Sequence, residues 1–358
     1  MDKKGIFEVA PCLKEGPLSE AGLELINEMT KIPNSESGDL LRTLCCYYLM
    51  NTKEVALKNE NDPTFEVVNS LNKVKGLSEN FNALNLDYFD LFRNEIANDL
   101  NGWDHQDTAS YYGDLFKDFD PEKYYKETPE ILKTRLERNE VYPDDLNTKS
   151  VLDVGCGDGK YSLAWKQLGA RTVTGVDFSE KAISIANERV RDFGVDYKID
   201  NALNLSIDDN AFDIVYCYGV LHHTADPKQG ISELVRVMKT GGFGWVYIIE
   251  RPGGFYWDIV EILRVVMKDV DVNYARKVLS LLNVPPKKIF RTLDHVLAPI
   301  NIRMTEGDIE KTLKKAGAKD IKKMKRGTDF DRIEKIYQRE PFAELKYGVG
   351  HNSFIFSK

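Results

Sequence analysis

The stretch Lys149-Ser150-Val151-Leu152-Asp153-Val154-Gly155-Cys156-Gly157-Asp158-Gly159-Lys160 decides the fold of this chain. Val151, Leu152 and Val154 read as a buried central strand, which ends in an acid and opens at once into three alternating glycines. Glycine accepts backbone angles that a β-carbon forbids, so this turn lets a ligand touch the main chain. The spacing is Gly-x-Gly-x-Gly, whereas a dinucleotide-binding turn needs its third glycine one residue later, where this chain has Lys160. NAD and FAD are therefore not expected.

Outward from this loop, residues 148–250 alternate strand and helix, with further strands at Thr172–Val176, Phe212–Tyr218 and Phe243–Glu250. Such alternation predicts parallel strands, right-handed crossovers and helices on both faces, with ligands beyond the carboxyl ends of the strands. Four further segments fall at those ends or turns. They are Gly175-Val176-Asp177-Phe178, Ile199-Asp200-Asn201-Ala202, Gly219-Val220-Leu221-His222-His223-Thr224, and Arg236-Val237-Met238-Lys239-Thr240-Gly241-Gly242 before strand five.

In order and spacing these segments resemble the class I S-adenosylmethionine-dependent methyltransferases, and especially the branch of quinone-biosynthesis C-methyltransferases. The resemblance covers residues 148–250 well and 305–358 loosely. It implies an α/β fold: a Rossmann-like seven-stranded methyltransferase sheet with helices on both faces. It also implies S-adenosylmethionine as cofactor and methyl transfer to a small-molecule acceptor. Its cofactor loop corresponds to Gly155, Cys156, Gly157 and Gly159. The acid that grips both ribose hydroxyls corresponds to Asp177, and the apolar residue packed on adenine to Phe178. Asn201, followed by Ala202, stands where the family usually has an Asp accepting from the adenine amino group, and its amide oxygen is able to accept the same bond. Cys217 marks the strand-four position whose main-chain oxygen faces the cofactor in the family. Thr240 replaces a usual proline.

Several of these residues have a second reading. Asp153 stands where the methionyl ammonium would be held, directly or through water, and a strand-end Asp also caps backbone amides. The alternative for Asp177 is a cap on the helix from Ser179 to Val190; Ser179 competes for that role, which favours ribose binding for Asp177. His222 is the candidate base, because it follows strand four and imidazole titrates near neutrality, but a histidine there can also serve only to shape the pocket. His223 is expected to point elsewhere. Arg251, His295 and Arg303 are alternative acceptor-binding groups.

Upstream, residues 101–147 carry Trp103, Tyr111, Tyr112, Phe116, Phe119, Tyr124 and Tyr125. In the resembling enzymes this segment folds over the cofactor. Tyr111 is a candidate cofactor contact and Tyr112 a candidate catalytic residue, since aromatic faces attract a sulfonium; packing on the sheet is the alternative for the whole set. Residues 1–100 predict helices at Leu18–Met29, Asp39–Met50 and Phe65–Val74, the second with Leu40, Leu41, Leu44 and Tyr47 on one face. This amino-terminal helical region would cover the site, select the acceptor or hold a homodimer together. Residues 251–304 read as a helical insertion after strand five, with helices at Trp257–Met267 and Asn273–Leu282, forming a second cap. His351–Ser357 reads as the last strand, antiparallel to 319–325, and Phe330, Tyr337 and Phe342 between them are expected to help close the pocket.

Composition narrows the rest. The 49 basic and 57 acidic side chains give a net charge of −8, which disfavours a nucleic-acid partner. The lysines of 311–326 alternate with Ile309, Leu313 and Ala316 at helical spacing and read as a solvated helix face. The longest apolar run, Ile214–Leu221, is too short to insert in a membrane. No secretion signal is evident at the amino terminus, so a cytoplasmic location is expected. Cys12, Cys45, Cys46, Cys156 and Cys217 show no ligand or pairing pattern, so neither metal nor disulfide is expected. Two rival functions remain: an RNA (tRNA) methyltransferase, marked by salt-sensitive RNA binding, and a non-catalytic cofactor-binding subunit of a complex.

Overall fold

Strand β1, Ser150–Val154, is buried at all five positions and lies between β2 (Thr172–Asp177) and β4 (Phe212–Tyr218), both parallel to it. The computed structural model describes residues 10, 16–83, 121–143, 145–190 and 193–358. Among these, seven strands form one sheet in the order β3-β2-β1-β4-β5-β7-β6, where β3 is Val195–Ile199, β5 Met238–Ile248, β6 Lys319–Lys323 and β7 Asn352–Ser357. The order reverses between β1 and β4, and a sheet of this kind opens a ligand crevice at that switch point.

Helices cover both faces. On one, Leu152, Val154, Val215 and Val246 pack with residues of α7 (Pro227–Val237) and α11 (Glu306–Lys315). On the other, Val151, Val173, Tyr216 and Trp245 meet Trp165 of α5 (Lys160–Gln167) and Leu132 and Leu136 of α4 (Pro121–Arg138). Helix α6 (Glu180–Val190) lies on β2 and β3. Trp245 also donates from Nε1 to Ser353 Oγ at 2.7 Å, so its truncation to Ala would remove packing worth about 3–5 kcal/mol and a hydrogen bond besides.

Strand five departs from the expected boundary. It starts at Met238, paired with Phe212, ahead of the glycine pair expected as a turn, and ends at Ile248. A register shift between Phe212 and Ile214 absorbs the extra residues, and the ladder resumes at Ile214 and Phe243. Strand β7 runs antiparallel to both β5 and β6 and sits between them. A short helix, α12 (Arg332–Tyr337), precedes it.

The described residues divide into two units: those within 10–83, 252–298 and 339–348 in one, the other described residues in the second. The first groups helices α1 (Ser19–Met29), α2 (Glu36–Lys58) and α3 (Thr64–Ala83) with α8 (Gly254–Val266), α9 (Val272–Leu281), α10 (Pro286–Leu297) and α13 (Ala343–Tyr347). At its centre is α8, which buries Phe255, Trp257, Ile259, Val260, Ile262 and Leu263 against α1, α2, α10 and α13. The apolar face expected for α2 is corrected. Leu40 and Leu44 are exposed, and the buried side carries Arg42, Thr43, Cys45, Cys46, Leu49 and Lys53. Arg42 tolerates burial because its guanidinium donates to the carbonyls of Pro33 and Ile32 at 3.2 and 2.6 Å.

Candidate cofactor and active site

Beyond the carboxyl ends of β1, β2 and β4 lies a cavity of about 420 Å³. Its walls are the glycine loop, the end of β2, the turn after β3 and the segment after β4. Gly155, Cys156, Gly157, Asp177, Phe178, Asn201 and Ala202, all expected to bind cofactor, line it. Three expected contacts do not: Asp153, Gly159 and Cys217 lie outside the lining.

Each exception has a physical cause. Gly159 holds φ at +86°, and a β-carbon there would fall 2.2 Å from the Tyr197 hydroxyl, so this glycine serves close packing of the loop on β3. Cys217 points into the core with Leu152 and Val215, one position before the strand reaches the cavity at Tyr218, and burial pushes its thiol pKa up. Asp153 is buried and accepts from Ser162 Oγ at 2.6 Å, which anchors α5 behind the loop. Burial, reinforced by Asp177 and opposed by the Ser162 bond and by Lys160, pushes its pKa up to about 7.

Asp177 organises the loop. Its Oδ2 accepts from Gly157 N–H at 2.9 Å and its Oδ1 from Ser179 N–H at 2.8 Å, so the capping reading is realised by the same carboxylate that borders the cavity. Phe178, 48 % exposed, presents a ring to the cavity. Asn201 Oδ1 accepts from Leu203 N–H at 2.9 Å and retains a second lone pair.

The two histidines exchange the places expected of them. His222 is 3 % exposed, and the cavity wall is His223. Ile249 N–H donates to His222 Nδ1 at 3.3 Å, so that nitrogen is the acceptor and a neutral ring carries its proton on Nε2. His223 is the opposite case: Nδ1 lies 2.8 Å from Ile300 O, a carbonyl can only accept, and the proton therefore sits on Nδ1, leaving Nε2 as the acceptor nitrogen. Their reversal follows from the 3₁₀ turn Leu221–His223, which sends adjacent side chains in different directions.

Tyr111 and Tyr112 lie outside the described residues. Arg251, His295 and Arg303 do not line the cavity, nor do Phe330, Tyr337 and Phe342, which are 65 %, 53 % and 44 % exposed. Lining residues not picked out from sequence include Lys160, Tyr161 and Tyr218. Lys160 and Tyr161 begin the helix after the glycine loop and Tyr218 closes β4, positions that the strand-end rule could have flagged. Behind them, Arg135 donates from Nη1 to Tyr161 OH at 3.0 Å, lies 4.7 Å over the Tyr218 ring, and pairs through two bonds of 2.8 Å with Asp331.

A family model described as a methyltransferase domain matches residues 152–246. The ubiquinone biosynthesis O-methyltransferase of Nitrosomonas europaea is 35 % identical over 146 residues, covering 40 % of this chain and 62 % of the relative. That of Leptothrix cholodnii is 31 % identical over 162 residues, covering 44 % of this chain and 68 % of the relative. The chain belongs to the class I S-adenosylmethionine-dependent methyltransferases, and its cofactor is S-adenosylmethionine. It spans 62 %, 58 % and 55 % of the length of three such curated relatives. These relatives are named O-methyltransferases, whereas the motifs drew the resemblance toward C-methyltransferases of the same class.

The residues present fit that cofactor. Gly219 lines the cavity at φ +82°, and a β-carbon there would meet nothing within 4 Å, so the wall is kept open at the end of β4. At the cavity wall Phe178 carries a half-exposed aromatic ring and Asp177 two carboxylate oxygens, groups of the kind that an adenosine needs.

Proposed function

We propose that this chain transfers the methyl group of S-adenosylmethionine to a small molecule that carries a proton on its accepting atom, a hydroxylated aromatic ring being the best fit. The names of the relatives support an oxygen acceptor, and the Tyr161 and Tyr218 rings support an aromatic one. When bound, the cofactor supplies a methyl carbon already activated by a positively charged sulfur. The chain's own work is to align the acceptor, exclude water and remove a proton.

His223 is the base in this reading, in place of His222. Its Nδ1 proton is held by Ile300 O, so the ring is fixed in the tautomer whose Nε2 accepts, and it borders the cavity between Val220 and Thr224. The 2.8 Å contact between His223 Nδ1 and Ile300 O, at the cavity wall, is the observation that carries the proposal. Asp177 and Phe178 hold the adenosine, and Asn201 accepts from the adenine amino group. Partners are small molecules rather than nucleic acid, in keeping with the net charge of −8. Among the described residues no helix is long and apolar enough to cross a membrane, and the proposed site of action is the cytoplasm.

The test incubates the chain with isotope-labelled S-adenosylmethionine and a panel of hydroxylated aromatic compounds, then follows transfer of the label by mass spectrometry. His223→Asn should lower kcat by about a hundredfold or more while leaving cofactor affinity intact, the low end of what a positioned base contributes. Labelled RNA, no labelled small molecule, or full activity in His223→Asn would each overturn the corresponding part of the proposal.

A further inference from the structure

The glycine loop has few backbone donors left for an anion. Gly155 N–H and Cys156 N–H both donate to Val176 O, at 2.7 and 3.0 Å, Gly157 N–H to Asp177, and Gly159 N–H to Cys156 O at 3.0 Å. A phosphate-binding loop turns such amides toward its ligand; this loop turns them inward. The side chains around it are acidic: Asp158, Asp177 and Asp200 line the cavity, and Asp153 lies buried behind the loop. S-adenosylmethionine ends in an amino-acid arm whose carboxylate would be repelled by this set. Lys160 is the single Lys or Arg among the described residues that line the cavity.

We propose that Lys160 receives the carboxylate of the cofactor's amino-acid arm, and so sets the affinity and the orientation of the methyl donor. The assignment rests on S-adenosylmethionine occupying this cavity. Lys160 is the first residue of α5, directly after the loop, and its Nζ lies 5.1 Å over the Tyr161 ring. This places the ammonium at the cavity wall where the loop meets the helix. Its charge reaches the two acids nearest the loop, lowering the pKa of Asp153 and of Asp158 against the effect of their burial. Both carboxylates have other partners to hold them: Asp158 is bonded to Arg189 at 3.3 Å and Asp153 to Ser162. Among the described residues that line the cavity, Lys160 is the one whose charge complements an incoming carboxylate.

Calorimetric titration of the full chain and its Lys160→Gln and Lys160→Arg variants with two ligands tests this. One ligand is S-adenosylmethionine; the other is decarboxylated S-adenosylmethionine, which keeps the ammonium and sulfonium but lacks the carboxylate. In Lys160→Gln, affinity for S-adenosylmethionine should fall about tenfold or more, as expected for loss of one charge-assisted contact. Affinity for the decarboxylated ligand should stay within about twofold or improve, since repulsion by a cation is removed. Lys160→Arg should retain most of the preference. Comparing two ligands on one variant cancels any general folding defect. Equal weakening of both ligands, or no change in either, overturns the role of Lys160 alone; failure of the unaltered chain to bind either ligand overturns the cofactor assignment and the role together.

Discussion

The carboxylate of Asp177 holds the N–H of Gly157 at 2.9 Å, so the end of β2 fixes the loop that follows β1. One side chain therefore shapes the loop and borders the cavity. Asp177→Ala is expected to weaken binding of S-adenosylhomocysteine by about 1–3 kcal/mol, the cost of leaving partners unpaired. Asp177→Asn should fall between, because an amide oxygen can keep one of the two backbone bonds. Calorimetry checks both, and an unchanged affinity in the Ala variant would remove Asp177 from the ribose site.

Asp153 makes stability depend on pH. Its folded pKa of about 7 lies above the ordinary carboxyl value near 4, so the folded state keeps a proton that the unfolded chain releases. The contribution is fully present below about pH 4, declines as the pH rises, and is gone above about pH 7, a span worth at most about 4 kcal/mol. Asp153→Asn, which cannot titrate, should flatten the fall in melting temperature between about pH 4 and 7. A cationic ligand near Asp153 favours its ionised form, so ligand binding near pH 6 should release protons from the unaltered chain and not from Asp153→Asn. Titration in buffers of different ionisation enthalpy measures this directly.

Sequence reading was most reliable where one physical constraint dominated. Val151, Leu152 and Val154 admit only a buried strand, and the acids and glycines at strand ends announce a crevice, which is why most of the cavity wall was legible. The apolar face expected for α2 fails because its buried side carries Arg42 and Lys53, whose partners lie outside the helix, at the Ile32 carbonyl and the Tyr256 ring. The helix Pro286–Leu297 has a legible start, since Pro286 at its first position is an ordinary helix opening. His222 and His223 are adjacent in sequence, and only the hydrogen bonds to Ile249 and Ile300 reveal which ring borders the cavity. No periodicity encodes that choice.

Gly159 is expected to tolerate no side chain. A methyl group there would meet the Tyr197 hydroxyl at 2.2 Å and the ring carbon behind it at 2.8 Å, on a backbone with φ at +86°. Left-handed strain of about 1–2 kcal/mol adds to overpacking of about 1–3 kcal/mol, so Gly159→Ala should lower the melting temperature by roughly 5–10 °C. Pairing it with Tyr197→Ala relieves the overlap and leaves the strain. The double variant should therefore lose less than the sum of the single losses, and strict additivity in thermal denaturation would show that the overlap is not the cause.

Arg135 and Asp331 form a buried pair with two bonds of 2.8 Å, joining α4 to the segment before α12 and backing the Tyr161 and Tyr218 rings of the cavity. Burial alone would raise the Asp331 pKa, but the hydrogen bonds and charge of Arg135 hold it well below the usual carboxylate range. With a depressed folded pKa, the stabilisation is present above about pH 4 and is lost as the pH falls toward the folded value. Removing one partner leaves the other charge buried and unpaired, so Arg135→Met alone should cost about 3–5 kcal/mol, whereas Arg135→Met with Asp331→Leu should recover most of that loss. The double variant also removes the donor to Tyr161 and the cation over Tyr218, and should lower acceptor turnover even where stability is restored. Denaturant unfolding of the three variants separates these effects. A double variant as unstable as the single would mean that the pair contributes net stability rather than compensating its own desolvation, and full activity in it would detach the two tyrosines from acceptor positioning.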